Sequence, residues 1–279
     1  MRLGTLAIVG VGLIGGSIGL AAKRRGLART VIGVGRQQAT LEGARNLGAI
    51  DACLDLAGAV READVAVFCT PVDVIASQVV AAAKTCSTRT LLTDAGSTKG
   101  AIVREVERLI PRGITFVGSH PLAGSEKHGP EHADANLFED RVTIVTPTEQ
   151  AAPEAVERTV TFWSALGSRV KVMDPDVHDR AVAVTSHVPH LMAAALANAL
   201  PETLRELAAS GFRDTTRIAA GDPAIWTGIF EHNCDAVVDG LERLDAEFSR
   251  FRRALANRNW QALRQLLTQA KKVRDALGS

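Results

Sequence analysis

The apolar run Leu3–Val9 ends directly in Gly10-Val11-Gly12-Leu13-Ile14-Gly15 and leads into a helical pattern over Ile14–Arg25. Few architectures accept three glycines at this spacing between a strand and a helix. The first permits a tight turn, the second lets the backbone approach a pyrophosphate, and the third lets helix and strand pack closely. The helix N-terminus then offers N–H donors and a positive dipole end to phosphate groups. The motif predicts a Rossmann-type start, with Gly10, Gly12, Leu13, Ile14 and Gly15 against a bound dinucleotide. A glycine-rich turn without a ligand is the plainer alternative.

The first half of the chain continues the alternation. Apolar runs at Val31–Val34, Val65–Cys69, Thr90–Thr93, Thr115–Val117, Val142–Val145 and Val170–Val172 read as strands. Helical patterns cover Thr40–Leu47, Leu56–Ala63, Val74–Ala83, Lys99–Arg108 and Glu154–Leu166. Continuous Val/Ile/Leu runs are typical of strands buried on both faces, and strand–helix alternation implies right-handed βαβ units in a doubly wound sheet. After Met173 the strands stop. Asp174-Pro175-Asp176 is a helix-start signal, followed by helical patterns at Val177–Ala199, Glu202–Ala209, Ala224–Arg253 and Trp260–Leu277. The expected organisation is an α/β dinucleotide-binding domain over residues 1–173 and an all-helical domain over 174–279. Ala181–Leu200 is apolar nearly all round, which predicts burial on most faces. Leu263, Leu266, Leu267, Ala270, Val273 and Leu277 form an apolar stripe at helical spacing. Helices this apolar in a small domain often pack across a dimer interface, so a homodimer through the helical domain is expected.

Bulk composition excludes several classes. The 279 residues carry a formal net charge of +1, with no basic footprint for nucleic acid and no polybasic membrane patch. The apolar N-terminal run contains Gly10, Gly12, Gly15, Gly16 and Gly19, a poor membrane helix, and lacks a signal-peptide cleavage pattern. A cytoplasmic location is expected. The four cysteines, Cys53, Cys69, Cys86 and Cys234, are scattered without a CxxC pair and read as buried or incidental thiols. His187/His190 and His128/His132 have no third ligand at suitable spacing, so no metal is expected.

Dinucleotide sites for NAD usually place Asp or Glu at the end of the second strand, to accept from the ribose 2′-OH. Here the strand ends Val34-Gly35-Arg36-Gln37-Gln38, without a carboxylate. Arg36 offers a two-pronged guanidinium to a 2′-phosphate, which predicts a preference for NADP. Thr70 and Pro71, after the third buried run, are expected to line the same crevice.

Three further segments carry chemistry-bearing residues: Asp94-Ala95-Gly96-Ser97-Thr98-Lys99-Gly100, Gly118-Ser119-His120-Pro121-Leu122-Ala123-Gly124-Ser125-Glu126, and Ser210-Gly211-Phe212-Arg213-Asp214-Thr215-Thr216-Arg217-Ile218-Ala219. The first two are read as loops at the carboxyl edge of the sheet. Taken in order with the glycine turn, Ser186-His187-Val188-Pro189-His190, Asp222-Pro223 and Trp226, they make the chain resemble the prephenate/arogenate dehydrogenase family of tyrosine biosynthesis over essentially its whole length.

That resemblance implies a Rossmann domain, a helical dimerisation domain, and oxidative decarboxylation of a cyclohexadienol with NAD or NADP. It implies His120 as the catalytic base, a role suited to an imidazole, and Ser97 as its hydrogen-bonding neighbour near the substrate hydroxyl. Arg217 is implied to hold a substrate carboxylate. Asp214 would orient it, with Arg213 an alternative carboxylate partner. Glu126 is implied at the pocket mouth, and His187, His190 and Trp226 in its wall. Lys99 is left between a helix cap and a phosphate contact, and His178 reads as a surface or structural residue. Without a regulatory segment after residue 279, any inhibition by tyrosine is expected to be competitive. Two other readings fit the domain pattern. One is a β-hydroxyacid or imine dehydrogenase; the other is a catalytically silent NADP-binding sensor. The first leaves the segment His120–Glu126 together with Gly211–Ala219 unexplained, and the second predicts a damaged catalytic set, whereas Ser97, His120 and Arg217 are all present.

Overall fold

A computed structural model describes residues 1–124 and 127–278. The chain runs β1 (Leu3–Val9), α1 (Leu13–Arg24), β2 (Ala28–Val34), α2 (Gln38–Asn46), β3 (Ala52–Cys53), α3 (Leu56–Glu62), β4 (Val65–Phe68), α4 (Val72–Ala83), β5 (Leu91–Asp94) and α5 (Gly100–Leu109). It continues through β6 (Thr115–Pro121), β7 (Val142–Thr146), α6 (Pro153–Ala165) and β8 (Arg169–Val172). Then follow α7 (Pro175–Val182), a π turn (Ala183–His187), α8 (Val188–Asn198), α9 (Ser210–Thr216), α10 (Pro223–His232), α11 (Cys234–Ala256) and α12 (Trp260–Ala276).

The eight strands form one sheet in the order β3-β2-β1-β4-β5-β6-β7-β8. Neighbours from β3 to β6 are parallel, β7 is antiparallel to β6, and β8 is parallel to β7. The pleat sorts alternate residues onto opposite faces. Leu6, Ile8, Val65 and Val67 belong to a core shared with Ile18 and Ala21 of α1 and Phe162 and Trp163 of α6. Ala7, Val9, Ala66 and Phe68 belong to a second core with Val60 of α3, Ile75 and Val79 of α4 and Val106 of α5. Helices therefore cover both faces, the doubly wound α/β arrangement expected from the continuous apolar strands.

The sheet departs from the sequence reading at β6. Gly118 and Pro121 are turn-forming residues, and the expected strand stops at Val117. The strand instead continues to Pro121 by changing partner. Thr115, Phe116 and Val117 pair with β5, whereas Gly118 to Pro121 pair with β7. His120 is thus held opposite Ile144 in a ladder, not on a loop. Gly118 is required there because a methyl group would lie 2.7 Å from Thr146 Oγ1 and 3.0 Å from Val103 Cγ2.

The helical patterns also differ locally. Val177–Ala199 is not one regular helix. Pro189 lacks an N–H and its ring conflicts with the carbonyl four residues back, and the chain passes through a π turn just before it. The Val188 N–H bonds to the Ala183 carbonyl. This segment buries one face, through His178, Val182, Ala183, His187, Val188, His190 and Ala193. Val184 and Leu196 are exposed, so the expected burial on most faces is not met within the chain. The pattern at Glu202–Ala209 is a 3₁₀ turn over Glu202–Leu207, and the long pattern at Ala224–Arg253 is broken at Asn233 between α10 and α11.

Contacts group Met1–Cys234 into one compact unit and the residues from Asp235 onward into a second. In the second unit, α11 and α12 are joined through Arg258, which has a φ of +49°, and Asn259, whose side chain caps the Ala262 N–H at 3.0 Å. Leu263 and Leu266 of the apolar stripe are half-buried, while Leu267, Val273 and Leu277 are exposed. Among the described residues no helix is long and apolar enough to cross a membrane.

Gly118→Ala is expected to destabilise the first unit by roughly 1–3 kcal/mol through overpacking. Urea unfolding checks this, and an unchanged midpoint would show that β7 can move aside.

Candidate active site

The carboxyl ends of β1, β4 and β5 and the β6 extension share one edge of the sheet, the edge where open α/β sheets bind ligands. At β1, Gly10 has a φ of +92°, and a methyl group on it would lie 2.8 Å from the Cys69 carbonyl and 2.9 Å from Thr70 Cγ2. A methyl at Gly15 would collide with the Gly10 carbonyl, so only glycine lets α1 start this close to the strand. A methyl at Gly12 would meet nothing within 4 Å. Gly12 also stands at the α1 N-cap with no side chain capping the helix and no acid in its first turn. An open backbone cradle with uncapped amides fits a pyrophosphate.

Leu13 and Ile14 are half-buried in the first turn of α1, and Ile14 approaches the loop after β6 near Gly124. Thr70 bonds Gln78 at 2.6 Å, and Pro71 begins α4. Arg36 is exposed just beyond β2.

The segment after β5 is built around a buried ion pair. Lys99 and Asp94 are both fully buried, and the Lys99 ammonium pairs with the Asp94 carboxylate and donates to the Ser119 carbonyl at 2.9 Å. Lys99 stands at the N-cap position of α5, but its side chain caps no amide there and is engaged in this ion pair. Burial lowers its pKa, opposed by Asp94. Asp94 also accepts from Ser119 N–H and Gly96 N–H, each at 2.9 Å. The Ser119 hydroxyl donates to the Asp94 carbonyl and receives Trp163 Nε1–H at 2.8 Å. Together these bonds lock the residue before His120 to the loop carrying the half-buried Ser97.

His120 Nδ1 lies 2.9 Å from Nε2 of His178, which is fully buried in α7. His178 Nδ1 lies 2.8 Å from Asp179 Oδ1. Asp179 in turn accepts the backbone N–H groups of Lys99 and Gly100, each at 2.8 Å, and so caps α5. His178 and Asp179 are therefore site residues that the sequence reading missed. The Asp174-Pro175 helix start pointed to α7, but no local pattern points to contacts with residues 58 and 80 positions away.

Asn233 Nδ2 donates to the Asp179 carbonyl at 2.8 Å and lies 3.1 Å from His187 Nδ1. Beyond it, the His190 ring stacks on Trp226, with centroids 3.5 Å apart and planes inclined by 15°. His190 Nδ1 is buried without a hydrogen-bond partner among the described residues. A methyl at Gly221 would run into the Trp226 indole. Thus the structure brings His120, His187, His190 and Trp226 into one connected group. Arg217 starts a 3₁₀ turn (Arg217–Ala220) that packs against α8, and Asp214 is exposed on α9. Arg213 donates to the Ala208 carbonyl at 2.9 Å. Glu126 lies outside the described residues. Cys53, Cys69 and Cys86 are partly buried, Cys234 is exposed, and all four are free thiols.

This fold and this site define a two-part protein of the nucleotide-binding dehydrogenase class. Residues 18–172 match the prephenate dehydrogenase nucleotide-binding domain, and residues 174–269 match the prephenate dehydrogenase dimerization domain. The chain is 34% identical to a prephenate dehydrogenase of Bacillus subtilis, covering 98% of this chain and 76% of that one. Among solved structures, it resembles Aquifex aeolicus prephenate dehydrogenase in complex with hydroxyphenyl propionate and NAD+ (TM-score 0.93, 29% identity, 99% of each chain). It also resembles Synechocystis arogenate dehydrogenase (TM-score 0.83, 32% identity, 98% of this chain and 99% of that one). The chain belongs to the prephenate dehydrogenase family.

The site makes two measurable demands on stability. Asp94→Asn leaves the Lys99 ammonium buried beside a neutral amide and is expected to cost about 3–5 kcal/mol in urea unfolding. Adding Lys99→Met should restore part of that loss, and full stability of Asp94→Asn alone would show that the pair is dispensable.

Burial pulls the His187 pKa down to about 4, reinforced by His178 and His190 and opposed by Asp179. Burial also lowers His190, and burial followed by His178, Lys99 and His187 holds His120 well below 6.5. Unfolded histidines bind protons near pH 6.5 that these folded ones refuse, so stability is full above pH 6.5 and declines as pH falls towards 4. His187 alone contributes about 3 kcal/mol to that decline. Unfolding midpoints at pH 7 and 4.5 should diverge in the wild type and diverge less in His187→Gln; equal divergence would contradict the assignment.

Proposed function

We propose that the protein oxidatively decarboxylates prephenate, arogenate or both, with NADP preferred over NAD, as a homodimer formed through residues 174–279. The observation that carries the reading is His120. Its Nδ1 is engaged by His178, and the residue is half-buried at the sheet edge. The names of the relatives span both substrates, and the Aquifex structure holds a hydroxyphenyl acid together with NAD+.

Gly10, Gly12 and Gly15 would hold the dinucleotide pyrophosphate, with Leu13, Ile14, Thr70 and Pro71 around it. The bound nicotinamide supplies the hydride acceptor. His120 receives the proton of the ring hydroxyl through Nε2, the nitrogen left over from the His178 bond, as hydride departs from the same carbon. Breaking the ring–carboxylate bond then releases carbon dioxide and sends its electron pair through the ring to the oxygen. His120 can return its proton there, which leaves a phenol and no net proton change. Base assistance of this kind contributes roughly 10²–10⁴-fold.

Ser97 is assigned to the hydroxyl beside His120, and Arg217 to a substrate carboxylate, for which a guanidinium provides paired donors. Asp214 is assigned to orient Arg217, and Glu126 to the pocket mouth. Trp226, His187 and His190 are assigned to the wall of the pocket. Arg36, exposed past β2 in place of an acid, favours a 2′-phosphate.

Reduced-nicotinamide absorbance with prephenate and arogenate, each with NAD and NADP, tests the reading. Turnover is expected in at least one pairing, with kcat lowered about 10²–10⁴-fold by His120→Asn. Arg36→Ala should raise KM for NADP and leave that for NAD nearly unchanged. Dinucleotide binding without turnover in any pairing would favour a sensor or another dehydrogenase.

A further inference from the structure

Lying on β6, α7 and the start of α5, His120, His178 and Asp179 form a chain of polar contacts 2.9 and 2.8 Å long, anchored on two backbone amides. We propose that His178 and Asp179 are positioning residues that set the tautomer of His120 and stabilise the charge it acquires. This rests on His120 being the base of the proposed reaction.

The argument is one of donors and acceptors. A carboxylate only accepts, so the His178 nitrogen facing Asp179 carries its hydrogen. The far nitrogen of a neutral His178 ring then accepts, and the His120 Nδ1 facing it must be the donor. The His120 hydrogen is therefore fixed on Nδ1 and the lone pair on Nε2, which faces away from the pair. When Nε2 takes a proton, the Nδ1 hydrogen stays on His120, and the acceptor nitrogen of His178, backed by the Asp179 carboxylate, stabilises the imidazolium that forms. An Asp behind a histidine base gives the same service in hydrolytic triads. Here a second imidazole lengthens the connection by one ring.

The anchoring is what makes Asp179 suitable. Its two oxygens take the Lys99 and Gly100 amides at the start of α5, where a helix favours negative charge. The carboxylate is thus fixed, with the Asp179 side chain 9% exposed. Its pKa lies below the ordinary value even though burial pushes upward, because His178 and the two amides bond to its ionised form. The other ionisable groups packed around His120 are Lys99, neutralised by Asp94, and His187, whose Nδ1 is matched to Asn233. Neither of them reaches His120 Nδ1 in a hydrogen bond.

The test compares His178→Leu, which removes the acceptor, with His178→Gln, which retains one, in the intact enzyme. His178→Leu should lower kcat on the order of 100-fold, with KM for substrate and dinucleotide changed less than about 3-fold. His178→Gln should regain at least about 10-fold of that loss. Wild-type kinetics in both variants, or equal losses in both with raised KM and lowered Tm, would overturn the proposal. His120→Asn in the same series separates the two claims: if it retains turnover, the base assignment itself fails.

A readout independent of turnover comes from ¹H–¹⁵N spectra of the ring-labelled protein. They should report a hydrogen on His120 Nδ1 and none on Nε2 above pH 7. A hydrogen on Nε2 overturns the proposal whatever the activity.

Discussion

One carboxylate, that of Asp179, ties together parts of the chain that are 80 residues apart. It closes the N-terminus of α5, holds His178 against His120, and brings α7 onto the edge of the sheet. The buried Asp94–Lys99 pair completes the joint from below by fixing Ser119. Uncompensated charges in such a place would cost several kcal/mol each, so the arrangement is stable only as a fully bonded set. The position of His120 follows from it: the strand fixes its backbone, and His178 fixes its ring.

The sheet and its helices were legible because both rest on periodicity. Leu6/Ile8 and Ala7/Val9 alternate into two cores, and the glycine turn specifies its own geometry. What stayed hidden was set by distant partners. Gly118 and Pro121 read as turn formers, but β7 supplies the hydrogen bonds that keep them in a strand. Ala52–Cys53 is too short to show an apolar run, although it pairs with β2. Asn233 interrupts a long helical pattern where its amide reaches the Asp179 carbonyl and His187.

The same division runs through the site. His120, His187, His190 and Trp226 could be named from motifs, and the structure joins them in one group. His178 could not be told from a surface histidine, since its importance lies in a ring on another element. Lys99, flagged but unassigned, proves to be a buried structural cation. Arg36 shows the opposite limit: it is exposed beyond β2, and only its chemistry speaks for a phosphate.

β6 has a further consequence. A strand that spends its first half on one neighbour and its second on another is braced from two sides, so the His120 imidazole is mounted on doubly supported backbone. The wall formed by His190, Trp226 and the turn at Arg217 belongs to short helical segments. Under the proposed function, reactivity rests on β6 and α7 and selectivity on the short helical segments beyond them. Changes of substrate preference could then accumulate around His190, Trp226 and Arg217 while His120, His178 and Asp179 stay untouched.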